Sequence, residues 1–190
     1  MILMAGAVVL LASGLFGGLR EAPVEAAEPL KVGSPHKAEP FTLTVDRARW
    51  TSDLGEIGKT ERGRYLIVIV KVRTDADRSI DLGVLQQALA LQSTKGIYNS
   101  MGGGKIVASG KAKPSVHALP DGTRMSVLPP GLTYELAYVW EQKASEPVPE
   151  ELSVASRSHT WRQSALDDQM NWFDATIGAV GTVTVTKAAS

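Results

Sequence analysis

Cysteine is missing from the chain altogether, with 0 in 190 residues. That excludes disulfides, thiol nucleophiles, zinc–thiolate centres and lipid attachment through a lipobox cysteine. It leaves the redox compartment open, and any exported form must hold together by packing alone. Net charge is missing too, since 20 Lys and Arg face 20 Asp and Glu. No stripe of Lys or Arg stands out, so the sequence offers no field for nucleic acid. No N-x-[ST] acceptor occurs, because neither Asn99 nor Asn171 has Ser or Thr two residues on. Histidine is scarce: His36, His117 and His159 are the 3 present. They show no HxH or HExxH spacing, and read as surface or edge-strand residues rather than metal ligands.

The common catalytic patterns fail in turn. There is no G-x-S-x-G, and Ser100, Ser109 and Ser126 have no partner legible in the sequence. Asp75, Asp77 and Asp81 suggest a calcium loop, but Ser79 and Ile80 stand where a third ligand and a glycine are required. Gly102-Gly103-Gly104-Lys105 fails as a phosphate loop, with Asn99 at the first glycine position and Ile106 in place of Ser or Thr. It reads as a flexible loop. Glu150-Glu151 and Asp167-Asp168 are neighbours in the chain. Strand neighbours point to opposite faces, so they make poor acid–base pairs. No catalytic residue, metal or cofactor is assigned, and the chain is read as non-enzymatic.

What is present describes an exported β domain. Hydrophobic content of 44% and charged content of 21% suit a folded domain with a leader. Met1–Leu19 carries no charged side chain and ends at Arg20 and Glu21. Such a run is long enough to span a bilayer as a helix. One reading is an uncleaved signal anchor, giving a single-pass membrane protein with its domain outside. The other is a signal peptide cut before Ala27, with Val24 and Ala26 at the −3 and −1 positions, giving a secreted form. The length of the run and the lack of a basic stretch before it favour the anchor. Glu21–Pro40, with four prolines, reads as an extended linker.

From Phe41 the pattern has period two. Phe41, Leu43 and Val45 lie on one parity, Ala48 and Trp50 on the other, so a β-bulge near Asp46-Arg47 is expected. Tyr65–Val72 is apolar on both parities until Lys71, the mark of a central strand. Leu66, Val68, Val70 and Val72 should face the core, while Ile67 and Ile69 need a loop, the linker or a partner as cover. Leu82–Leu91 is ambiguous between helix and strand, with strand favoured over Ala88–Ser93. Tyr98–Pro114 reads as a long loop or loose hairpin, and Thr123–Leu128 as a short strand closed by Pro129-Pro130-Gly131. Leu132, Tyr134, Leu136, Tyr138 and Trp140 alternate cleanly and should supply the core's largest side chains. Leu152–Val154, Arg157–Trp161 and Val180–Thr186 are further strands. Ser164–Phe173 reads as one or two helical turns capped by Ser164. Seven or so short strands argue an all-β, immunoglobulin-like antiparallel β-sandwich over 41–190, with a barrel as second choice.

Three stretches together resemble a known class: Phe41–Trp50, Arg64–Thr74 with its polar turn Asp75–Ser79, and Leu128-Pro129-Pro130-Gly131 leading into Leu132–Trp140. The class is the telokin-like, immunoglobulin-like extracytoplasmic domains of bacterial lipoproteins and anchored membrane proteins. The resemblance covers about Phe41 to Val185, and its motifs are structural. It implies a sandwich fold and accessory or binding work at the cell envelope, with no shared catalytic residues. Lacking the lipobox cysteine, this chain would use its apolar helix instead.

For a site, Trp161, Trp172 and Phe173 stand out near the C-terminal loops. Core packing is the default reading, and a partner surface the alternative, since Trp anchors interfaces. The expected function is a protein-interaction or accessory module at the outer face of the membrane. The alternative is a module binding a small ligand or cell-wall carbohydrate through the glycine-rich loop and these aromatics.

Overall fold

The computed structural model describes residues 27–99 and 104–188. The apolar Met1–Leu19 segment lies outside the described residues, as do Gly102 and Gly103 of the glycine-rich loop. Among the described residues, no helix is long and apolar enough to cross a membrane.

Two long strands set the middle of the molecule. β3 (Phe41–Thr51) and β4 (Gly63–Thr74) form an antiparallel pair, and β11 (Thr133–Lys143) lies on the other side of β4. The expected bulge is there: the register slips between Val45 and Arg47, leaving Asp46 unpaired. That one extra residue returns Ala48 to the core side, where it is buried. Leu66, Val68, Val70 and Val72 are all buried in the main core, as their parity requires. Ile67 and Ile69 find their cover on the opposite face. They cluster with Ala137 and Val139 of β11, under Leu54, Tyr65 and Leu119. Loops therefore supply the second face, through Leu54 and Leu119.

The other layer is a hairpin of β12 (Glu151–Gln163) and β13 (Met170–Lys187), with β6 (Leu89–Gln92) at its edge. Leu89, Leu91, Leu152, Val154, Ala179 and Val183 from this layer join one buried cluster with Leu43, Val68, Leu136 and Tyr138 from the first. Two sheets thus face each other across a single core, the arrangement of a β-sandwich. The layers are joined at one corner, because Val185–Lys187 of β13 leaves β12 and pairs with Ala48–Trp50 of β3. This pairing is parallel, as is that of β1 (Glu28–Pro29) with β13, so the sandwich is not wholly antiparallel. Short strands complete the margins: β7 (Ile97–Tyr98) and β9 (Ser115–Ala118) on β11, β8 (Ile106–Val107) on β7, and β5 (Ile80–Asp81) paired with β10 (Val127–Leu128).

One end is plugged by the helix α1 (Leu82–Gln87), just before the strand expected near Ala88–Ser93. The Tyr138 hydroxyl donates to the Leu85 carbonyl at 2.9 Å, and Trp140 Nε1 donates to the Ala112 carbonyl at 3.3 Å. The rings of Tyr138 and Trp140 stack with centroids 6.1 Å apart. Large aromatics can sit at the centre of the core here because their polar tips are hydrogen-bonded.

Three expectations are corrected. First, much of the segment expected to be linker, 21–40, belongs to the fold. β1 and β2 (His36–Ala38) pair with β13 and β3, and Leu30 and Ala38 are buried. A Cβ at Gly181 would stand 2.1 Å from the Leu30 carbonyl oxygen, so glycine is what lets the chain cross β13 so closely. Second, Ser164–Phe173 is not helical. Ser164 N–H donates to the Gln169 carbonyl at 2.8 Å, Met170 pairs with Gln163, and β13 has begun. Ser164 and Asp167 accept from the amides of Leu166 and Gln169, two residues on, which closes a tight turn in place of a helix cap. Third, the strand expected from Leu132 starts one residue later, and Leu132 is 60% exposed.

Candidate functional site

The distal half of the β12–β13 hairpin stands apart from both sheets. β6 pairs only with Ser153–Ser156 of β12, and β3 only with Val185–Lys187 of β13. Toward the turn, among the described residues, the two strands form a ribbon with no further strand beside it. From Arg162 to Asn171 every residue except Ser164 is exposed.

All three aromatics expected as a partner surface lie on this ribbon, but on two faces. Trp161 and Trp172 are direct cross-strand partners. Their ring centroids are 5.1 Å apart with planes tilted by 51°. Phe173 opposes Thr160 one position along, and strand parity turns it to the other side. There the Arg162 guanidinium lies over its ring at 4.5 Å while holding Asp174 through Nε and Nη2. Trp172 is half-buried against the core margin, so the core-packing reading is met in part.

The turn after β4 completes the Trp face. Arg78 places its guanidinium 4.9 Å from the Trp161 ring centroid. Its Nε donates to Asp77 Oδ1 at 3.1 Å, and this bond, with the arginine's charge, holds the Asp77 carboxyl below the ordinary range. Ala76, Asp77, Arg78, Trp161 and Trp172 line an open cleft of about 270 Å³. Trp172 Nε1, by contrast, is shut away from solvent without a hydrogen-bond partner. The cleft thus offers aromatic faces, one carboxylate and one guanidinium. In the sequence Asp75–Ser79 shows only as a polar turn, and no local pattern links Arg78 to a tryptophan 83 positions later.

Two other clusters were not legible in the sequence. Where β1 and β2 meet the hairpin, Glu28, His36, Ser158 and Gly178 line a cleft of about 280 Å³. His36 Nδ1 is 4.0 Å from Glu28 Oε2, but its Nε2 has no hydrogen-bond partner. Ser158 is therefore not engaged by an imidazole base, and the trio does not form a relay. At the far side Arg62 grips Glu141 through two bonds, Nε to Oε1 at 2.9 Å and Nη2 to Oε2 at 2.5 Å. Thr60 donates to the same carboxylate, and the Arg62 guanidinium lies 4.4 Å from the Tyr98 ring centroid. These bonds hold the Glu141 carboxyl below its usual range. Every strong partner here is internal, which makes it a structural clasp.

The three histidines stay separate in role. His117 Nδ1 bonds to the Gly122 carbonyl at 2.9 Å, and His159 is buried beside Phe41. Among the described residues, no group of three or more His, Asp or Glu is arranged to hold a metal ion.

No family model and no curated protein sequence matches the chain. A solved structure does: an uncharacterized β-sandwich protein from Clostridium difficile 630. It is 9% identical, with a TM-score of 0.50, over 86% of this chain and 97% of that one. At that identity the likeness is one of fold, and the fold it shares is the β-sandwich.

Proposed function

We propose that this protein is a non-enzymatic binding module of the cell envelope, an immunoglobulin-like domain of the telokin-like extracytoplasmic kind. It is tethered by its apolar N-terminus with the domain outside, and serves as an accessory to a protein partner. The observation that carries the binding reading is the Trp161–Trp172 pair on a protruding ribbon, roofed by Arg78. Half-exposed tryptophan beside arginine is the composition of interface hot spots. The Asp77–Arg78 pair would give such a contact a polar border.

The test pairs stability with binding. Trp161→Ala should leave the melting temperature within a few degrees, since Trp161 sits at the outer margin of the fold. It should abolish recovery of a stoichiometric protein in pull-downs from solubilised membranes. Retained recovery would move the partner to another face.

A second reading has its own support. Two tilted rings beside a carboxylate and a guanidinium, around about 270 Å³, also suit one ring of a carbohydrate, with apolar C–H faces on indole and hydroxyls on Asp77 and Arg78. Thermal shift against a panel of cell-wall sugars, lost in Trp161→Ala, would favour it over the protein partner.

A further inference from the structure

A further cleft, of about 270 Å³, lies where the end of α1 and the start of β6 meet the 110–113 segment and Arg157 of β12. Its charged lining is of one sign. Lys111, Lys113 and Arg157 reach it, and no Asp or Glu does. The whole chain balances 20 basic residues against 20 acidic ones, so this cluster is a local departure. The segment that carries the lysines is pinned from the core side. The Ala112 carbonyl accepts from Trp140 Nε1 at 3.3 Å, and the Pro114 carbonyl accepts from Gln86 Nε2 at 2.6 Å. Gln86 is itself 4% exposed. Burial then alternates along the segment, with Ala112 and Pro114 inside and Lys111 and Lys113 outside.

Arg157 is half-buried on the opposite wall. Its Nη2 donates to the Gly110 carbonyl at 2.7 Å, which fixes the guanidinium beside the lysine segment. Its other N–H donors have no protein partner among the described residues, and no carboxylate forms an ion pair with Arg157 or with Lys111 there. Burial pulls the Arg157 pKa down, with no acidic neighbour to raise it. A guanidinium drawn partly out of water without a counter-charge is unfavourable unless a ligand supplies one. The end of α1 does not fill that role. Its carbonyls are served from within, Leu85 accepting from the Ala88 N–H and the Tyr138 hydroxyl, and Ala88 accepting from the Arg157 backbone N–H.

We propose that this cleft is an anion site that takes a phosphate group, held by the Arg157 guanidinium on one wall and by Lys111 and Lys113 on the other. A planar guanidinium offers parallel N–H donors to two oxygens of one anion, and the ammonium groups add charge without fixed direction. Three cationic side chains around one cleft suit a doubly charged oxyanion better than a single carboxylate. The site is independent of the Trp161–Trp172 cleft and of any partner bound there, so either can fail without the other.

The test is equilibrium dialysis of the full chain, in nonionic detergent at fixed ionic strength and neutral pH, against radiolabelled inorganic phosphate. Saturable retention of one phosphate per chain is the expected result. Arg157→Gln should weaken it at least about tenfold, since it removes the charged donors to the anion. Lys111→Ala should weaken it about two- to fivefold, the effect of one exposed charge. Lys111 is exposed, so that variant keeps its fold and decides the matter even if Arg157→Gln does not fold. Unlabelled glycerol phosphate should displace the label at least as well as unlabelled inorganic phosphate, and better if the group is carried on a larger molecule. Acetate at the same ionic strength should displace little. No saturable retention, or undiminished retention in either folded variant, overturns the site. Displacement by acetate as strong as by phosphate overturns the assignment of phosphate as its ligand.

Discussion

His159 shows how a single side chain can make stability depend on pH. It sits at a register shift of β12, its amide donates to the Glu39 carbonyl at 2.6 Å, and its ring meets Phe41 edge-on at 6.4 Å. Neither ring nitrogen has a partner. Burial pushes its pKa down, and the nearby Arg157 charge adds to this, outweighing the opposing pull of the Glu39 backbone carbonyl oxygen near the ring. A base whose folded pKa is depressed takes up its proton more readily when unfolded. Stability should therefore be full above about pH 6.5 and decline as pH falls through that value, the ordinary histidine pKa. Calorimetric melting between about pH 7 and pH 5 should show this fall, and His159→Leu should flatten it. An unchanged slope in the variant would assign the pH dependence elsewhere. At this scale the sequence was partly legible. Alternation found Leu66, Val68, Val70, Tyr138 and Trp140 as core, because parity alone decides which face a strand residue takes. It could not find Arg78 over Trp161, or Arg62 on Glu141, because those contacts bridge residues 83 and 79 positions apart that share no periodic pattern.

Among elements, the bulge and the clasp are each needed to hold the central strands in place. Removing Asp46 would erase the bulge and turn Ala48 and Trp50 to the wrong face. That deletion should leave no cooperative thermal transition, whereas Asp46→Ala, which keeps the backbone count, should melt nearly as the parent. The clasp joins the β3–β4 loop to β11. Glu141→Gln keeps its size but loses a charged acceptor of two Arg62 bonds and one from Thr60, and should cost about 1–2 kcal/mol in urea unfolding. Because the folded carboxyl titrates low, this contribution is present above the ordinary glutamate range and fades as pH drops below it. The elements misread from sequence share a cause. Ser164 and Asp167 have the spacing of a helix start, yet the same side chains also close turns, and only the pairing of Gln163 with Met170 decides between them. The Glu21–Pro40 stretch looked like tether because its prolines break periodicity. Strands of two or three residues, such as β1 and β2, are too short to show any.

On the scale of the whole molecule, those two short strands matter out of proportion to their length. A version beginning at Ala27 should fold, while one beginning at Phe41 would lose buried Leu30 and Ala38 and bare one edge of β13. Circular dichroism and size-exclusion chromatography of the two should show a β-rich monomer in the first case and aggregate in the second. The sandwich class was readable because strand spacing and alternation survive averaging over many residues. The way the layers are sewn together was not, since it depends on which distant strands meet. β13 is the thread: it pairs with β12, with β1 and with β3, and so draws residues from 28 to 187 into one seam. A chain still emerging from the ribosome has its early strands without the last one that closes the seam. Such a polypeptide stays open until β13 itself has been made, so the seam closes only once every other strand it joins is already in hand.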